Sequence, residues 1–452
     1  MERFKFAAMS NPILVLGAGR SATVLLDYLN DLAQKGNFRF TIADADEKNL
    51  SSKTSELPHA DGLIFKGSEV SDFASLIGNH KIVISLLPPP LHPKVGKACL
   101  ETRSHLITAS YESPEMREMS KEISEKGLIF MNECGLDPGI DHMSAMEIIH
   151  DIQSKGGKIT KFTSFTGGLV ADEFDDNPFK YKISWNPRNV VLAGKGVAKF
   201  LQNGNVSLIP YHRLFDEYET ISVKGWGEFE GYANRDSTPY AELYGLEGIK
   251  TLKRGTFRKK GFCDRWNVMV QLGLTDDDTN LTFSEGATYS DLMEAFLPGF
   301  KTGQFEALSA FCGNEKIASD ILDLGFGGPK TEKLDRTNGK PADYLLDLIV
   351  KKWVLLPNDK DLVVMNHCFE YKLEDSDYQT VSSFGMVGDN SIRTAMAKTV
   401  GLPPGIVAKQ ILNNQFKQKG LLLPLQQEIY SPVLKELAHF GVSFFTTTRP
   451  LS

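Results

Sequence analysis

An apolar run at Ile13–Leu16 leads directly into a glycine motif, Gly17-Ala18-Gly19-Arg20-Ser21-Ala22. Four consecutive apolar residues are typical of a buried parallel strand, and the first glycine permits a tight turn into a helix. The second glycine lets the backbone approach a pyrophosphate, and the final alanine lets helix and strand pack closely. An amphipathic stretch follows over residues 24–32. The pattern therefore predicts a strand–turn–helix unit that binds a dinucleotide through residues 17–22, at a helix N-terminus.

The composition is that of a globular protein with more than one domain. The chain has 452 residues and a formal net charge of −7, with 41% apolar and 24% charged residues. This negative charge argues against nucleic acid or an anionic membrane as the main partner. No apolar run approaches the roughly 18 residues that a membrane span needs, and residues 1–10 lack the features of a secretory signal. We expect a small-molecule partner, with neither nucleic acid nor membrane.

The cysteine and histidine patterns predict no metal site. Cysteines occur at scattered positions and never in Cys-x-x-Cys spacing: Cys99, Cys134, Cys263, Cys312 and Cys368. This usage indicates a reducing compartment, which we take to be the cytoplasm, and gives no disulfide framework. The pairs Asp141-His142 and His367-Cys368 are sequence neighbours, which rarely converge on one ion.

Residues 1–140 alternate short apolar runs with segments of helical periodicity. The runs that predict strands are 13–16, 38–43, 62–65, 82–87, 105–108 and 128–131. Strands separated by helical crossovers form a parallel, doubly wound sheet. The predicted fold class is therefore α/β, with residues 1–140 as a Rossmann-like dinucleotide-binding domain.

The pattern changes after Asp141. Alternating β-forming segments predict a second α/β domain with a mixed sheet over residues 141–390; they lie at 158–165, 218–225, 362–367 and 379–384. Within it, residues 284–355 read mostly as helix and indicate a small helical insertion. The tail, residues 391–452, is expected to pack back on the first domain, with helices at 391–400, 404–413 and 432–440.

Asp44 closes the second predicted strand, where a carboxylate accepts hydrogen bonds from the ribose hydroxyls of the adenosine half. A negative charge at this place repels a 2′-phosphate and so favours NAD over NADP. Asp46 is a substitute for this role, and a solvated loop acid is the alternative interpretation. Arg20 and Lys48 lie nearby and soften the preference, so we expect NAD as the cofactor and keep NADP as the alternative.

Polar and proline-rich loops follow the later strands of the first domain. Parallel strands end at one edge of the sheet, where ligands bind in open α/β folds. The loop after the fourth strand, residues 85–90, either contacts the cofactor through Leu87 or is only a rigid turn. The loop after the sixth strand contains Asp137, which either aims its carboxylate at a ligand or forms an Asx turn. For Asp141 in the same loop, the structural interpretation is that its carboxylate caps a helix.

Two segments of the second domain, residues 232–240 and 253–258, are polar, arginine-bearing and loop-like. A guanidinium binds a carboxylate through two parallel hydrogen bonds and stays charged. Arg235 and Arg258 are therefore the best carboxylate-binding candidates, although most arginines are only solvated. No Gly-x-Ser-x-Gly elbow or Cys/His/Asn pattern indicates covalent catalysis.

An ordered series of motifs resembles the glutamate-forming saccharopine dehydrogenase (saccharopine reductase) family. The most specific are Gly135-Leu136-Asp137-Pro138-Gly139-Ile140-Asp141-His142 and Asn234-Arg235-Asp236-Ser237-Thr238-Pro239-Tyr240. Others are Gly17-Ala18-Gly19, Ser85-Leu86-Leu87-Pro88, Thr108-Ala109-Ser110-Tyr111, Lys182-Ile183-Ser184-Trp185, Arg254-Gly255-Thr256-Phe257-Arg258 and Glu428-Ile429-Tyr430-Ser431-Pro432. The resemblance covers nearly the whole chain.

The resemblance implies oxidation of saccharopine with NAD(P)+ and water to glutamate and 2-aminoadipate 6-semialdehyde, or the reverse. It also implies a second domain that supports substrate binding and homodimer formation. Carried over by motif, the cofactor contacts beyond the glycine loop, Asp44 and Leu87 are Thr108, Ala109, Leu136, Pro138 and Trp185. The implied substrate contacts are Ser110, Tyr111, Asp137, Arg235, Thr256, Phe257 and Arg258. Asp137 or Tyr111 is the expected catalytic base, because a proton must leave the substrate amine or water.

Two departures from the family pattern affect these expectations. NADP-using members carry neutral or basic residues where this chain has Ala43-Asp44-Ala45-Asp46, which indicates NAD. The family's Tyr-Cys-Gly-Gly stretch is Phe165-Thr166-Gly167-Gly168 here, so Thr166 can only hydrogen-bond and no cysteine acts at this position.

Two alternative functions are open. A carboxynorspermidine or carboxyspermidine dehydrogenase would need acidic contacts for ammonium groups, for which Asp172-Glu173 and Asp175-Asp176 are candidates. The arginine-bearing motifs favour a substrate with several carboxylates instead. A non-catalytic NAD-binding protein would bind cofactor without turnover, since a fold alone does not establish activity.

Overall fold

The computed structural model describes residues 11–328 and 331–451. Residues 1–10, for which no secretory signal was expected, lie outside this range. The strands, numbered along the chain, are β1 (Ile13–Leu16), β2 (Phe40–Asp44), β3 (Ala60–Ile64), β4 (Ile82–Ser85), β5 (His105–Thr108), β6 (Ile129–Met131), β7 (Lys158–Val170), β8 (Val197–Gln202), β9 (Asn205–Pro210), β10 (Glu219–Val223), β11 (Gly227–Ala233), β12 (Thr251–Lys259), β13 (Leu281–Thr282), β14 (Asn338–Gly339), β15 (Asp361–Leu373), β16 (Ser376–Val387), β17 (Gly420–Leu422) and β18 (Phe445–Pro450).

The α-helices, numbered in the same way, are α1 (Thr23–Gly36), α2 (Glu47–Thr54), α3 (Val70–Ile77), α4 (His92–Thr102), α5 (Pro114–Glu118), α6 (Ser120–Glu125), α7 (Ile140–Ser154), α8 (Pro187–Val191), α9 (Tyr240–Leu243), α10 (Phe262–Gln271), α11 (Tyr289–Phe296), α12 (Gln304–Cys312), α13 (Glu315–Ile321), α14 (Pro341–Lys352), α15 (Ala395–Leu412) and α16 (Gln427–Ala438). The chain divides into two compact units: residues up to Gly157 with Gly388–Phe445, and Lys158–Val387 with the residues from Thr446 onward.

The first unit contains a parallel sheet in the order β17-β6-β5-β4-β1-β2-β3. Strand β1 is buried along its whole length and pairs in parallel with β2 on one side and β4 on the other. The order therefore reverses beside β1, which is the switch point where doubly wound sheets bind ligands. The predicted α/β fold class is confirmed, and the predicted strands are found with small shifts at their ends. Strand β17 was not predicted, because its three residues carry too little pattern.

The helices of the tail differ from the sequence prediction. We expected helices to begin at Pro404 and at Pro432, but α15 continues through Pro403 and Pro404, and α16 begins before Pro432 and contains it. Proline removes a backbone hydrogen bond and disfavours a helix interior. In α15 almost every residue is buried, and this packing offsets the lost hydrogen bonds. Gly401 permits the packing, since a Cβ there would lie 2.9 Å from the backbone nitrogen of Leu25 in α1.

The second unit contains a mixed sheet in the order β10-β11-β12-β7-β15-β16-β18, with the β8–β9 hairpin attached to β12. Strands β12 and β7 pair in parallel, whereas β15 is antiparallel to both β7 and β16. Helices α10–α14 and the residues around them form a large aromatic core that includes Trp266 and Trp353. Strand β18 of the tail pairs in this sheet.

The segment 253–258, expected to be loop-like, lies instead within β12. The charged residues of this segment led to the loop prediction. In the structure, however, Arg254, Arg258 and the adjacent Lys259 are all buried. Buried charges are rare enough that a polar run normally indicates a loop. Among the described residues, no helix combines the length and apolarity needed to cross a membrane.

Candidate active site

The glycine loop has the geometry that a dinucleotide phosphate requires. Gly17 has a φ of +100°, and its N–H donates to the carbonyl of Ala43 at 2.9 Å, which fixes the turn after β1. A Cβ on Gly19 would meet nothing within 4 Å, so the backbone faces open space at this point. Ala18 and Ala22 are buried against the sheet. The residues present therefore fit a pyrophosphate placed over Gly19 at the start of the helical segment.

Asp44 lies against this loop at the end of β2. Its Oδ2 accepts a hydrogen bond from the N–H of Ala18 at 2.5 Å, and its Oδ1 accepts one from the N–H of Asp46 at 2.8 Å. Asp46 has a different task, since its carboxylate accepts from the N–H groups of Lys48 and Asn49 and caps α2. The carboxylate that contacts the glycine loop is therefore that of Asp44, whereas the carboxylate of Asp46 caps α2.

Tyr111 and Asp137 come together in the first unit. Tyr111 follows β5, Asp137 follows β6, and the phenol donates to Asp137 Oδ1 at 3.0 Å. Both side chains are only half-buried. Since β5 and β6 are neighbouring parallel strands, their loops meet at the same edge of the sheet, as the sequence predicted.

A set of buried hydrogen bonds holds the loop that carries Asp137. The imidazole of His142 lies 2.7 Å from Glu133 Oε2, and Glu133 Oε1 accepts from the N–H of Glu112 at 3.0 Å. Asp141, in the first turn of α7, accepts a hydrogen bond from the N–H of Gly139 at 2.6 Å. Leu136 and Pro138 flank Asp137 and are buried. The network links the loops after β5 and β6 and gives Asp137 a fixed support.

Sequence reasoning missed His92, which lies at the same edge of the sheet. Its ring contacts the hydroxyl groups of Ser85, Thr108 and Ser110. Leu87, in the proline-rich loop just before it, is half-buried, as are Ala109 and Ser110 after β5. The signal available in the sequence was a histidine shortly after a predicted strand, in the loop that follows Ser85.

Strand β12 presents a row of polar residues in the second unit. Arg254, Thr256 and Arg258 alternate along the strand and so share one face of the sheet. The Arg258 guanidinium is 2% exposed and lies within 6 Å of the rings of Tyr181, Tyr232 and Phe262. Its Nη1 donates to the carbonyl of Phe257, and its Nε has no hydrogen-bond partner among the described residues. The guanidinium retains a free donor for an oxygen ligand.

The other second-unit candidates have different environments. Arg235 is exposed, with a φ of +50°, and its carbonyl accepts from the N–H of Lys199. Trp185 is half-buried and donates from Nε1 to the hydroxyl of Tyr181 at 3.0 Å. Phe257 is fully buried and stacks on Phe165, so a substrate contact at this residue would come from its backbone.

Thr166, which stands in place of the family's cysteine, lies in β7 directly opposite Thr256 in β12. It is buried, and its hydroxyl has no hydrogen-bond partner within the described part of the chain. The two threonines therefore share the face of the sheet that carries Arg258.

Three of the four acidic residues considered for a polyamine substrate are paired with lysines: Asp172, Asp175 and Asp176. Lys259 lies 2.5 Å from Asp172 and 3.4 Å from Asp175. Asp176 pairs with the buried Lys182 at 2.6 Å. Since these carboxylates neutralise lysines of the chain itself, they are poorly suited to bind ammonium groups of a substrate.

Comparisons with known proteins cover nearly the whole chain. The saccharopine dehydrogenase NADP binding domain matches residues 13–131, and the saccharopine dehydrogenase C-terminal domain matches residues 135–442. The saccharopine dehydrogenase [NADP(+), L-glutamate-forming] of Saccharomyces cerevisiae is 32% identical over 446 residues, with 95% of this chain and 97% of that protein covered.

Longer proteins and a solved structure show the same likeness. The mitochondrial alpha-aminoadipic semialdehyde synthase of Rattus norvegicus is 32% identical over 98% of this chain but only 49% of its own length. The chain thus spans about half the length of these synthases. The structure of the apo histidine-tagged saccharopine dehydrogenase (L-Glu forming) from Saccharomyces cerevisiae has a TM-score of 0.88 and 30% identity, and it covers 98% of this chain and 100% of that chain.

Proposed function

This chain belongs to the saccharopine dehydrogenase family, and from that premise we propose that it interconverts saccharopine with glutamate and 2-aminoadipate 6-semialdehyde. In the oxidative direction, saccharopine, NAD+ and water give glutamate, the semialdehyde, NADH and a proton. The observation that carries this proposal is the hydrogen-bonded pair of Tyr111 and Asp137, placed at the ligand-binding edge of the sheet that also carries the glycine loop. Neither the polyamine-type alternative nor the non-catalytic alternative is favoured by the relatives found.

The chemistry assigned to the chain is proton transfer and orientation. A nicotinamide dinucleotide held at residues 17–22 would supply the acceptor for the hydride that leaves the carbon bearing the secondary amine. Asp137 takes a proton from the amine or from the attacking water, either directly or through Tyr111. The hydrogen bond between them holds the carboxylate and phenol in one orientation, so the base is in place before substrate binds.

The arginines of the second unit supply carboxylate recognition in this proposal. Saccharopine carries three carboxylates, and a guanidinium can bind a carboxylate through two parallel hydrogen bonds. Arg258 is the first candidate, because its Nε is buried without a partner among the residues described. Thr256, Arg235 and Ser110 are the further polar contacts, and Trp185 joins Thr108, Ala109, Leu136 and Pro138 as a cofactor contact.

We propose NAD as the preferred dinucleotide. The family's domain and the yeast relative are both named for NADP. Against this, Asp44 places a carboxylate on the glycine loop itself. A 2′-phosphate at this position would meet like charge, whereas the ribose hydroxyls of NAD would donate to the carboxylate. NADP remains the alternative that a direct comparison must test.

We propose residues 1–140 with the tail 391–452 as the cofactor-binding domain, and residues 141–390 as the domain for substrate binding and homodimer formation. The exposed apolar side chains Val206 and Leu208 of β9 support an interface on the second domain. Five cysteines without disulfide partners support a reducing compartment, which we take as the cytoplasm.

The decisive experiment follows NADH or NADPH formation at 340 nm on addition of saccharopine to the purified chain. We expect turnover with saccharopine, faster with NAD+ than with NADP+, and none with carboxynorspermidine. Cofactor binding without turnover of saccharopine would contradict the proposed activity. Turnover with saccharopine that strongly prefers NADP+ would contradict the assignment of Asp44 and leave the activity intact.

A further inference from the structure

His92 occupies a central place at the carboxyl edge of the parallel sheet. It opens α4, and its ring is buried, with 4% exposure. Nδ1 lies 3.1 Å from the hydroxyl of Ser85 at the end of β4. Nε2 lies 2.8 Å from the hydroxyl of Ser110 and 3.2 Å from that of Thr108. One imidazole thus joins hydroxyl groups at the ends of two neighbouring strands, Ser85 of β4 and Thr108 of β5, with that of Ser110 just after β5.

The ring is uncharged at neutral pH because burial lowers the pKa of His92 to about 4. A neutral imidazole carries one N–H donor and one lone pair, so each ring nitrogen has a single fixed role. The hydroxyls around it must take the complementary roles. The N–H of Ser110 also donates to the Thr108 hydroxyl at 3.1 Å, which ties these two residues to each other as well as to the ring.

We propose that His92 is a positioning residue, which fixes the hydroxyls of Ser110 and Thr108 in the orientation that substrate and cofactor require. This inference rests on the proposed function, in which Ser110 contacts saccharopine and Thr108 contacts the dinucleotide. His92 itself touches neither ligand. It determines whether the Ser110 hydroxyl presents its hydrogen or its lone pairs to the ligand, because the ring nitrogen occupies the other side.

A double-mutant cycle tests whether His92 acts through Ser110. We expect His92→Leu and Ser110→Ala each to lower kcat/KM for saccharopine by about tenfold or more, mainly through KM. In the Ser110→Ala background, His92→Leu should cost less than about threefold further, since coupled residues are not additive. His92→Gln, which keeps an amide donor and acceptor, should recover part of the loss. Independent, multiplying effects of the two substitutions would overturn the proposal.

His105 provides the matched control. It begins β5, the strand that ends at Thr108, and its Nδ1 accepts from the N–H of Ile129. Burial, with Lys419 and Lys81 as lesser causes, lowers its pKa to about 4, as for His92. It lies at the opposite, amino end of the strand. His105→Leu should therefore lower stability without the selective rise in KM, and an equal rise in KM would count against a specific role for His92.

A measurement without turnover separates this inference from the proposed function. In protein labelled with 15N-histidine, the imidazole nitrogens of His92 should show a neutral ring at pH 6, and their shifts should change in Ser110→Ala while those of His105 do not. A ring that titrates near 6.5 and ignores Ser110→Ala would overturn the positioning role. Failure of the wild-type chain to oxidise saccharopine would instead contradict the proposed function, whatever the spectrum shows.

Discussion

The phenol of Tyr111 donates a hydrogen bond to the carboxylate of Asp137, with 3.0 Å between Oη and Oδ1. The two residues are 26 positions apart and come from loops that follow adjacent parallel strands, β5 and β6. A donated hydrogen bond favours the ionised carboxylate, which is the form that accepts a proton. This geometry supports the proposed role of the pair as proton acceptor at the edge of the sheet where doubly wound folds bind ligands.

Asp137→Asn should lower kcat for saccharopine by about 100-fold or more, because general-base catalysis contributes that much in typical enzymes. The amide keeps the size of the side chain but cannot take a proton. The measurement is kcat against pH between 5 and 10, where the limb due to the base should vanish. An unchanged kcat and pH profile would remove Asp137 from the mechanism.

Tyr111→Phe is the matched variant for the same pair. Loss of the phenol removes the hydrogen bond that orients the Asp137 carboxylate, so kcat for saccharopine should fall. The expected fall in kcat is smaller than that of Asp137→Asn. If Tyr111→Phe abolishes turnover while Asp137→Asn does not, the roles assigned to the two residues are exchanged.

Asp44→Asn should lower the ratio of kcat/KM for NAD+ to that for NADP+ by at least about tenfold. The substitution removes the charge that repels a 2′-phosphate but keeps an oxygen that can accept from Ala18. Asp46→Asn is the control, since it removes an equal charge two residues away and asparagine is also a good helix cap. The same change in ratio for both variants would show a general charge effect and contradict a specific role for Asp44.

Arg258→Lys should raise KM for saccharopine by about tenfold or more, with little change in the Kd of NADH. An ammonium is a point charge and cannot reproduce the two parallel hydrogen bonds of a guanidinium. Arg254→Lys is the control on the same face of β12, where the guanidinium stacks 4.1 Å from the centre of the Tyr240 ring. Equal kinetic effects of both variants would show that Arg258 has no special contact with substrate.

Lys182→Met should lower the free energy of unfolding by about 3 kcal/mol, because it leaves a buried carboxylate without its cation. Lys182 is 3% exposed and lies 2.7 Å from Asp359, whose side chain is 8% exposed. Lys199→Met is the control, since Lys199 and Asp236 form an exposed pair that should contribute less than about 1 kcal/mol. Urea unfolding of the two variants measures the difference, and similar losses would contradict it.

Stability should fall as the pH drops from about 6.5 to about 4. Burial lowers the pKa of His92 from 6.5 to about 4, so in this window the unfolded chain binds a proton that the folded chain does not. The full effect for one such ring is roughly 3 kcal/mol. The substitution His92→Gln should remove the part of this pH dependence that His92 causes. The measurement is the free energy of unfolding in urea at pH 7.5 and at pH 4.5. An identical slope in wild type and variant would contradict the burial of an uncharged ring.

The first sheet was predictable because its signals are local. A strand buried on both faces reads as an apolar run, and a helix crossover reads as periodicity, so β1, β5 and the glycine loop were recognised directly. The tail was harder. Its prolines argue for breaks, yet the burial of α15 against other elements outweighs the local preference. Tertiary contacts of this kind leave no trace in a short window of sequence.

The residues of the candidate site could largely be predicted from the sequence, but the contacts between them could be predicted only in part. Asp137 and Tyr111 follow predicted strands, so the rule for parallel sheets places both at one edge. The polar segment with Arg258 was taken as a loop, because a guanidinium buried among aromatic rings is rare. His92 was missed for a related reason, since a histidine is informative only when the hydroxyls that surround it are known.

The sequence by itself determined the strand–turn–helix unit, the alternation of strands and helices in residues 1–140, and the motifs that identify the family, because each depends on residues close together in the chain. Only the tertiary structure decided that Asp44 rather than Asp46 meets the glycine loop, that His92 joins Ser85, Thr108 and Ser110, and that Arg258 is buried among aromatic rings. Hydrogen bonds and burial depend on distances of a few ångströms between residues far apart in the chain. Those distances are set by the packing of the whole unit.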